Sequence, residues 1–123
     1  AKGVSYKCFV REDTQIPFMT MPDAIQAITH LMSAPKDNIS RTVYNIRSFA
    51  PTAGEFRQKV LEYFPNAEIQ FQIMEKRQKM VDSWPADTDD GMAKIDWNWK
   101  PAHNLDSGMK DYLVPDLQKM YRN

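Results

Sequence analysis

The sequence predicts an α/β fold, and three observations carry that prediction. Runs with the two-residue alternation of strands take turns with runs whose apolar residues recur at helical spacing, in the order strand, helix, strand, helix, strand, then helices only. A chain of 123 residues, 42% apolar and 26% charged, is long enough for one modest core and too apolar for disorder. No repeat, low-complexity stretch or linker divides it, so residues 1–123 read as a single domain.

The elements follow in order. VSYKCFV, residues 4–10, alternates and is rich in aromatic and branched side chains, as a strand is. Within it Cys8 should be a buried, inert thiol. IPFMTM, 16–21, reads as a short extended segment whose Pro17 suits an edge or bend. PDAIQAITHLM then predicts an amphipathic helix: Asp23 is the expected N-cap, Ile25, Ile28, Leu31 and Met32 form the stripe, and Pro35 ends it. His30 lies off that stripe and should be solvated.

RTVYNI, 41–46, is apolar on both faces and predicts a buried strand. Thr52 answered by Glu55 has the form of a capping box, opening a helix that carries Phe56, Val60, Leu61 and Phe64 and stops at Pro65. EIQFQI, 68–73, alternates cleanly and predicts a half-buried strand. Beyond residue 74 come a polar helical stretch and a short helix near 90–96, with Asp89 as its expected cap. Trp97 and Trp99 should pin that short helix to a last one starting near Asp106, in which Met109, Leu113, Leu117 and Met120 align and Pro115 forces a kink.

Composition excludes several functions. Sixteen basic residues balance sixteen acidic ones, so nothing draws the chain to nucleic acid or an anionic membrane, and the Lys76, Arg77, Lys79 cluster reads as a solvated face. One cysteine forms no internal disulfide, and two distant histidines give no zinc spacing. No apolar run approaches the ~20 residues of a membrane span, and the N-terminus has no signal-peptide core, so neither a membrane nor a secreted protein is expected. The chain starts at Ala1 without a methionine, which reads as a piece of something longer.

The chemistry-bearing motifs are also missing. The four glycines are isolated, so no dinucleotide fingerprint or phosphate loop can be assembled. There is no nucleophile elbow and no zinc-protease motif, and Asp87, Asp89 and Asp90 lack the rest of a calcium loop. No catalytic residue, cofactor or metal is expected within this chain.

One stretch is unlike the rest. DSWPADTDDGMAKIDWNWKP, 82–101, holds all three tryptophans. Its order S-W-P, then D-D, then D-W-x-W-K resembles the C-terminal region of the short-chain L-threonine 3-dehydrogenases, extended relatives of the nucleotide-sugar epimerases. YKCFVREDTQIPFMTMPDAIQAI, RTVYNI, TAGEF and NLDSGMKDYL resemble the same family in order along the whole chain. Two departures stand out. The family's T-R-L-P-M-M is here Thr14-Gln15-Ile16-Pro17-Phe18-Met19, without the arginine, and W-G-W is Trp97-Asn98-Trp99.

The resemblance implies a C-terminal substrate-binding portion of an extended short-chain dehydrogenase. Few short strands and about four to five helices are expected, without the complete Rossmann domain. The parent would oxidise the threonine side-chain alcohol to 2-amino-3-ketobutyrate, with NAD taking the hydride and a Tyr-x-x-x-Lys pair moving the proton. That pair and the NAD loop belong to an N-terminal domain that this sequence lacks: no tyrosine here has a lysine four residues on. The fragment alone is then expected to be inactive. Its share would be to cap an amino-acid substrate, with Trp84, and beside it Ser83, as the substrate contacts.

A homodimeric parent is implied, cytoplasmic in a bacterium and mitochondrial in a eukaryote. Two other readings stand beside it: part of a nucleotide-sugar epimerase/dehydratase, or a free-standing interaction module. Trp84 speaks against the first, because nucleotide-sugar relatives usually have a diphosphate-gripping arginine there. The second requires every apolar face to be buried within the chain. A fragment would instead leave RTVYNI and the helix faces without partners.

Overall fold

The computed structural model describes residues 3–121. Strand β1 (Tyr6–Cys8) is followed by helix α1 (Met21–Ser33), a single 3-10 turn (Lys36–Asn38) and helix α2 (Ala53–Tyr63). Strand β2 (Ile69–Phe71) then pairs with β1 in parallel, Tyr6 opposite Ile69 and Cys8 opposite Phe71. A parallel pair needs a long crossover, which α1 and α2 supply. Helices α3 (Glu75–Val81) and α4 (Gly91–Trp97) follow, then α5 (Leu105–Ser107), a π-helical segment (Gly108–Leu113) and α6 (Val114–Tyr121).

Several local expectations hold for the stated reasons. Thr52 and Glu55 form both halves of the capping box on α2. At Pro115 the chain does not break: the wider π turn just before it accommodates a residue that lacks an N–H and crowds the carbonyl one turn back. Asn98 closes α4 in the left-handed region, φ 56°. This explains the departure from W-G-W, since asparagine is the side chain best tolerated where glycine would otherwise sit. Asn98→Gly should leave thermal stability unchanged or slightly raised, whereas Asn98→Val should cost about 1–2 kcal/mol in a denaturant titration.

Four expectations are corrected. RTVYNI makes no strand: it runs extended without a ladder partner among the described residues, and Val43 is 77% exposed. Asp23 does not cap α1. Thr20 does, its hydroxyl accepting from the Asp23 amide at 3.3 Å, while the Asp23 carboxylate turns fully inward. Cys8 is half-buried rather than buried. The tryptophan pair is buried as expected but holds a different neighbour. Trp97 and Trp99 pack with Ala27 of α1 and Ala93 of α4, against Ile39, Tyr44 and Ile46, and so tie α4 to α1.

Helix α1 thus uses its small face, Ala27 and Asp23, for this core. Its large apolar stripe points outward, with Ile25, Ile28 and Met32 at 61%, 60% and 81% exposure. A helix apolar on two faces is built to lie between two layers. Only one of those layers is present among the described residues.

Candidate functional site

A cavity of about 600 Å³ opens beside the two-stranded sheet. Tyr6, Cys8 and Phe71 contribute from the sheet, and Phe56 and Val60 from α2. The last turn of α3 closes the other side with Met80, Val81 and, just beyond it, Trp84. Loop residues Thr14, Ile16 and Phe18 complete the wall, and Phe18 leans on Phe56 with ring centroids 5.4 Å apart. The lining is mostly apolar. Among the described lining residues its polar groups include the Thr14 and Thr52 hydroxyls and the guanidinium of Arg57, whose Nε donates to the Ile69 carbonyl at 3.1 Å.

Trp84 is 51% exposed at the rim of this cavity. Its backbone N–H donates to the Val81 carbonyl at 2.9 Å, which sets the residue on the final turn of α3. Ser83 is beside it, but its hydroxyl donates to the Met80 carbonyl at 2.6 Å and it does not line the cavity. The two expected substrate contacts are therefore separated. Trp84 faces the cavity, and Ser83 ties its own backbone turn. Gln15, where the family has arginine, donates from Nε2 to the Ala50 carbonyl at 2.5 Å.

The acidic residues of 82–101 divide by role. Asp89 is not the cap of α4: Asp90 occupies that position without a side-chain cap bond, and the Asp89 carboxylate accepts from the Gly91 amide at 2.8 Å. Asp90 pairs with Lys94 at 2.6 Å. Asp96 is buried and accepts from Ser40 N–H, Ser40 Oγ and Tyr44 Oη at 2.9, 2.6 and 2.5 Å. These donors hold the Asp96 carboxyl below its ordinary range, and burial together with the Asp96 bond pushes the Tyr44 phenol up. Among the described residues no cluster of three or more His, Cys, Asp or Glu could hold a metal, and no helix is long and apolar enough to cross a membrane.

A second polar centre went unread in the sequence. Asp23 has no exposed surface and accepts from Ser48 Oγ at 2.5 Å, the Ala102 amide at 3.0 Å and the His103 amide at 3.3 Å. His103 Nδ1 lies 3.0 Å from the same carboxylate and 3.2 Å from Thr20 Oγ1. A carboxylate only accepts, so the proton sits on Nδ1. Serine here is bonded to the acid rather than to the imidazole, so the trio has no nucleophile–base order; it clamps the 102–103 turn onto α1.

No family model matches the sequence. Individual proteins do. It is 34% identical over 105 residues to the mitochondrial L-threonine 3-dehydrogenase of Bos taurus, a match covering 85% of this chain and 28% of that protein. An uncharacterised epimerase/dehydratase of Staphylococcus saprophyticus is 31% identical over 88% of this chain and 34% of its own length. The apo structure of an L-threonine dehydrogenase from Cupriavidus necator superposes with a TM-score of 0.84 at 37% identity, covering 92% of this chain and 41% of that one. The chain is homologous to the C-terminal portion of these dehydrogenases and epimerase/dehydratases. It spans about a third of the length of the relatives it matches. Within this short-chain dehydrogenase fold, the cavity beside β1 and β2 is the candidate site.

Proposed function

We propose that this chain is the substrate-capping part of an NAD-dependent oxidoreductase that oxidises L-threonine to 2-amino-3-ketobutyrate. The observation that carries the proposal is Trp84, half-exposed at the rim of a mostly apolar cavity. An indole there supplies a rigid wall for the threonine methyl and a face for its ammonium group. That the bovine and Cupriavidus relatives are L-threonine dehydrogenases supports the choice of substrate. An epimerase acting on a nucleotide sugar fits less well, because a diphosphate needs several cationic partners, whereas Arg57 is the one cation among the described lining residues and its Nε is already engaged by the Ile69 carbonyl.

NAD, when bound, accepts the hydride. The described residues do not fit it. A Cβ on Gly54 would meet Glu12, one on Gly108 would meet Thr20 and Phe49, and one on Gly91 would lie 3.0 Å from Asp89, so these glycines serve internal packing rather than a phosphate cradle. We assign the cofactor to a partner domain. The outward stripe of α1, with the exposed Val43, supplies the apolar surface such a domain would cover. This chain contributes the wall and the exclusion of water.

The test is a chimera in which this chain replaces the matching portion of the Cupriavidus enzyme. Trp84→Ala should lower kcat/KM for L-threonine by about 10- to 100-fold, and Trp84→Phe by less. Unchanged kinetics in the alanine variant would remove Trp84 from the site.

A further inference from the structure

The candidate wall is held by a buried amide that lies outside it. Gln78 on α3 is 3% exposed, although glutamine in so polar a helix would ordinarily face water. Its Oε1 accepts from the Arg11 amide at 2.7 Å, and its Nε2 donates to Asp82 Oδ1 at 2.6 Å and to Thr14 Oγ1 at 3.1 Å. Arg11 closes the circle by gripping Asp82 with both terminal nitrogens, at 3.2 and 2.9 Å across 71 residues of sequence. The Asp82 carboxyl is held below its ordinary range by Arg11 first and Gln78 second.

The network joins two walls of the cavity. Thr14 lines one of them, and Trp84 stands two residues beyond Asp82 on the other. The ion pair is exposed and by itself worth little. The buried amide is different, since losing it strands several donors and acceptors at once.

We infer that Gln78 is a positioning residue: it locks the 11–14 loop to the last turn of α3 and so fixes where Trp84 stands over the cavity. The inference deepens the proposed function, because the position of Trp84 matters to catalysis only if Trp84 is the substrate wall.

The test uses indole N–H signals of the three tryptophans in an NMR spectrum of this chain, with Trp84 assigned by loss of its signal in Trp84→Phe. Gln78→Met removes these three polar contacts at similar volume. Gln78→Glu keeps the acceptor for Arg11 but sets a carboxylate against Asp82. Each should shift the Trp84 signal and raise its quenching by acrylamide, leaving Trp97 and Trp99 in place. The double variant Gln78→Glu with Asp82→Asn restores one donor facing one acceptor and should return Trp84 towards its original signal.

A Trp84 signal unmoved in both single variants overturns the inference. So does equal movement of all three tryptophans, or a double variant no better than Gln78→Glu, because either marks general loosening. The substrate reading is judged separately by the Trp84→Ala chimera, so the two can fail independently.

Discussion

Asp23→Ala should destabilise the chain by about 3–5 kcal/mol, a large part of the total for a domain of this size. The carboxylate satisfies a serine hydroxyl, two backbone amides and an imidazole in a place that water does not reach. Alanine leaves the serine hydroxyl and both amides without this acceptor and the imidazole with Thr20 alone. Asp23→Asn keeps one acceptor oxygen and should lose less than half as much. A urea titration at neutral pH checks this, with a fall in midpoint at unchanged slope.

The same carboxylate sets an acid limit. Burial alone would raise its pKa, but the Ser48, His103 and backbone hydrogen bonds outweigh burial and hold it below the ordinary value. A carboxyl depressed in the folded state adds stability that is complete above its unfolded value of about 3.9 and is lost as pH falls through the folded value. As pH falls below ~4 the wild-type chain should lose stability more steeply than Asp23→Asn.

Trp99→Ala should cost a comparable 3–5 kcal/mol. The ring is 2% exposed and lies 5.7 Å from the Trp97 ring, in the cluster that joins α4 to α1. Alanine would leave a cavity in the apolar cluster between these two helices. Trp99→Phe should cost much less than its lost area suggests, because the indole N–H it removes has no acceptor among the described residues. Both variants can be compared in thermal unfolding. A loss below ~1 kcal/mol for alanine would mean that α4 is held elsewhere.

Local signals in the sequence transferred well, and long-range ones did so unevenly. The Thr52–Glu55 box was legible because both of its hydrogen bonds are made within four residues. The alternation within EIQFQI was legible over Ile69–Phe71, where Ile69 and Phe71 line the cavity; Ile73 lies beyond the strand and is 52% exposed. Asp23 was misplaced because a carboxylate after proline looks like a cap, whereas its partners lie at 48, 102 and 103, far along the chain. RTVYNI was read as a buried strand from its apolar faces, and nothing in a single sequence shows whether their partner is present.

For the site, Trp84 came from a resemblance and not from spacing; composition alone would place a tryptophan in the core. Gln78 gave no signal at all. A glutamine among lysines and arginines looks solvated, and only the approach of Arg11 and Thr14 from the other end of the chain reveals its role.

The proposed role requires that this chain complete a threonine-oxidising site when a cofactor domain covers α1. The most direct measurement is L-threonine-dependent formation of NADH by the Cupriavidus chimera, run beside a nucleotide sugar as competing substrate. Turnover of L-threonine, unaffected by the nucleotide sugar, is the predicted result. A folded, NAD-binding chimera that ignores L-threonine would contradict it.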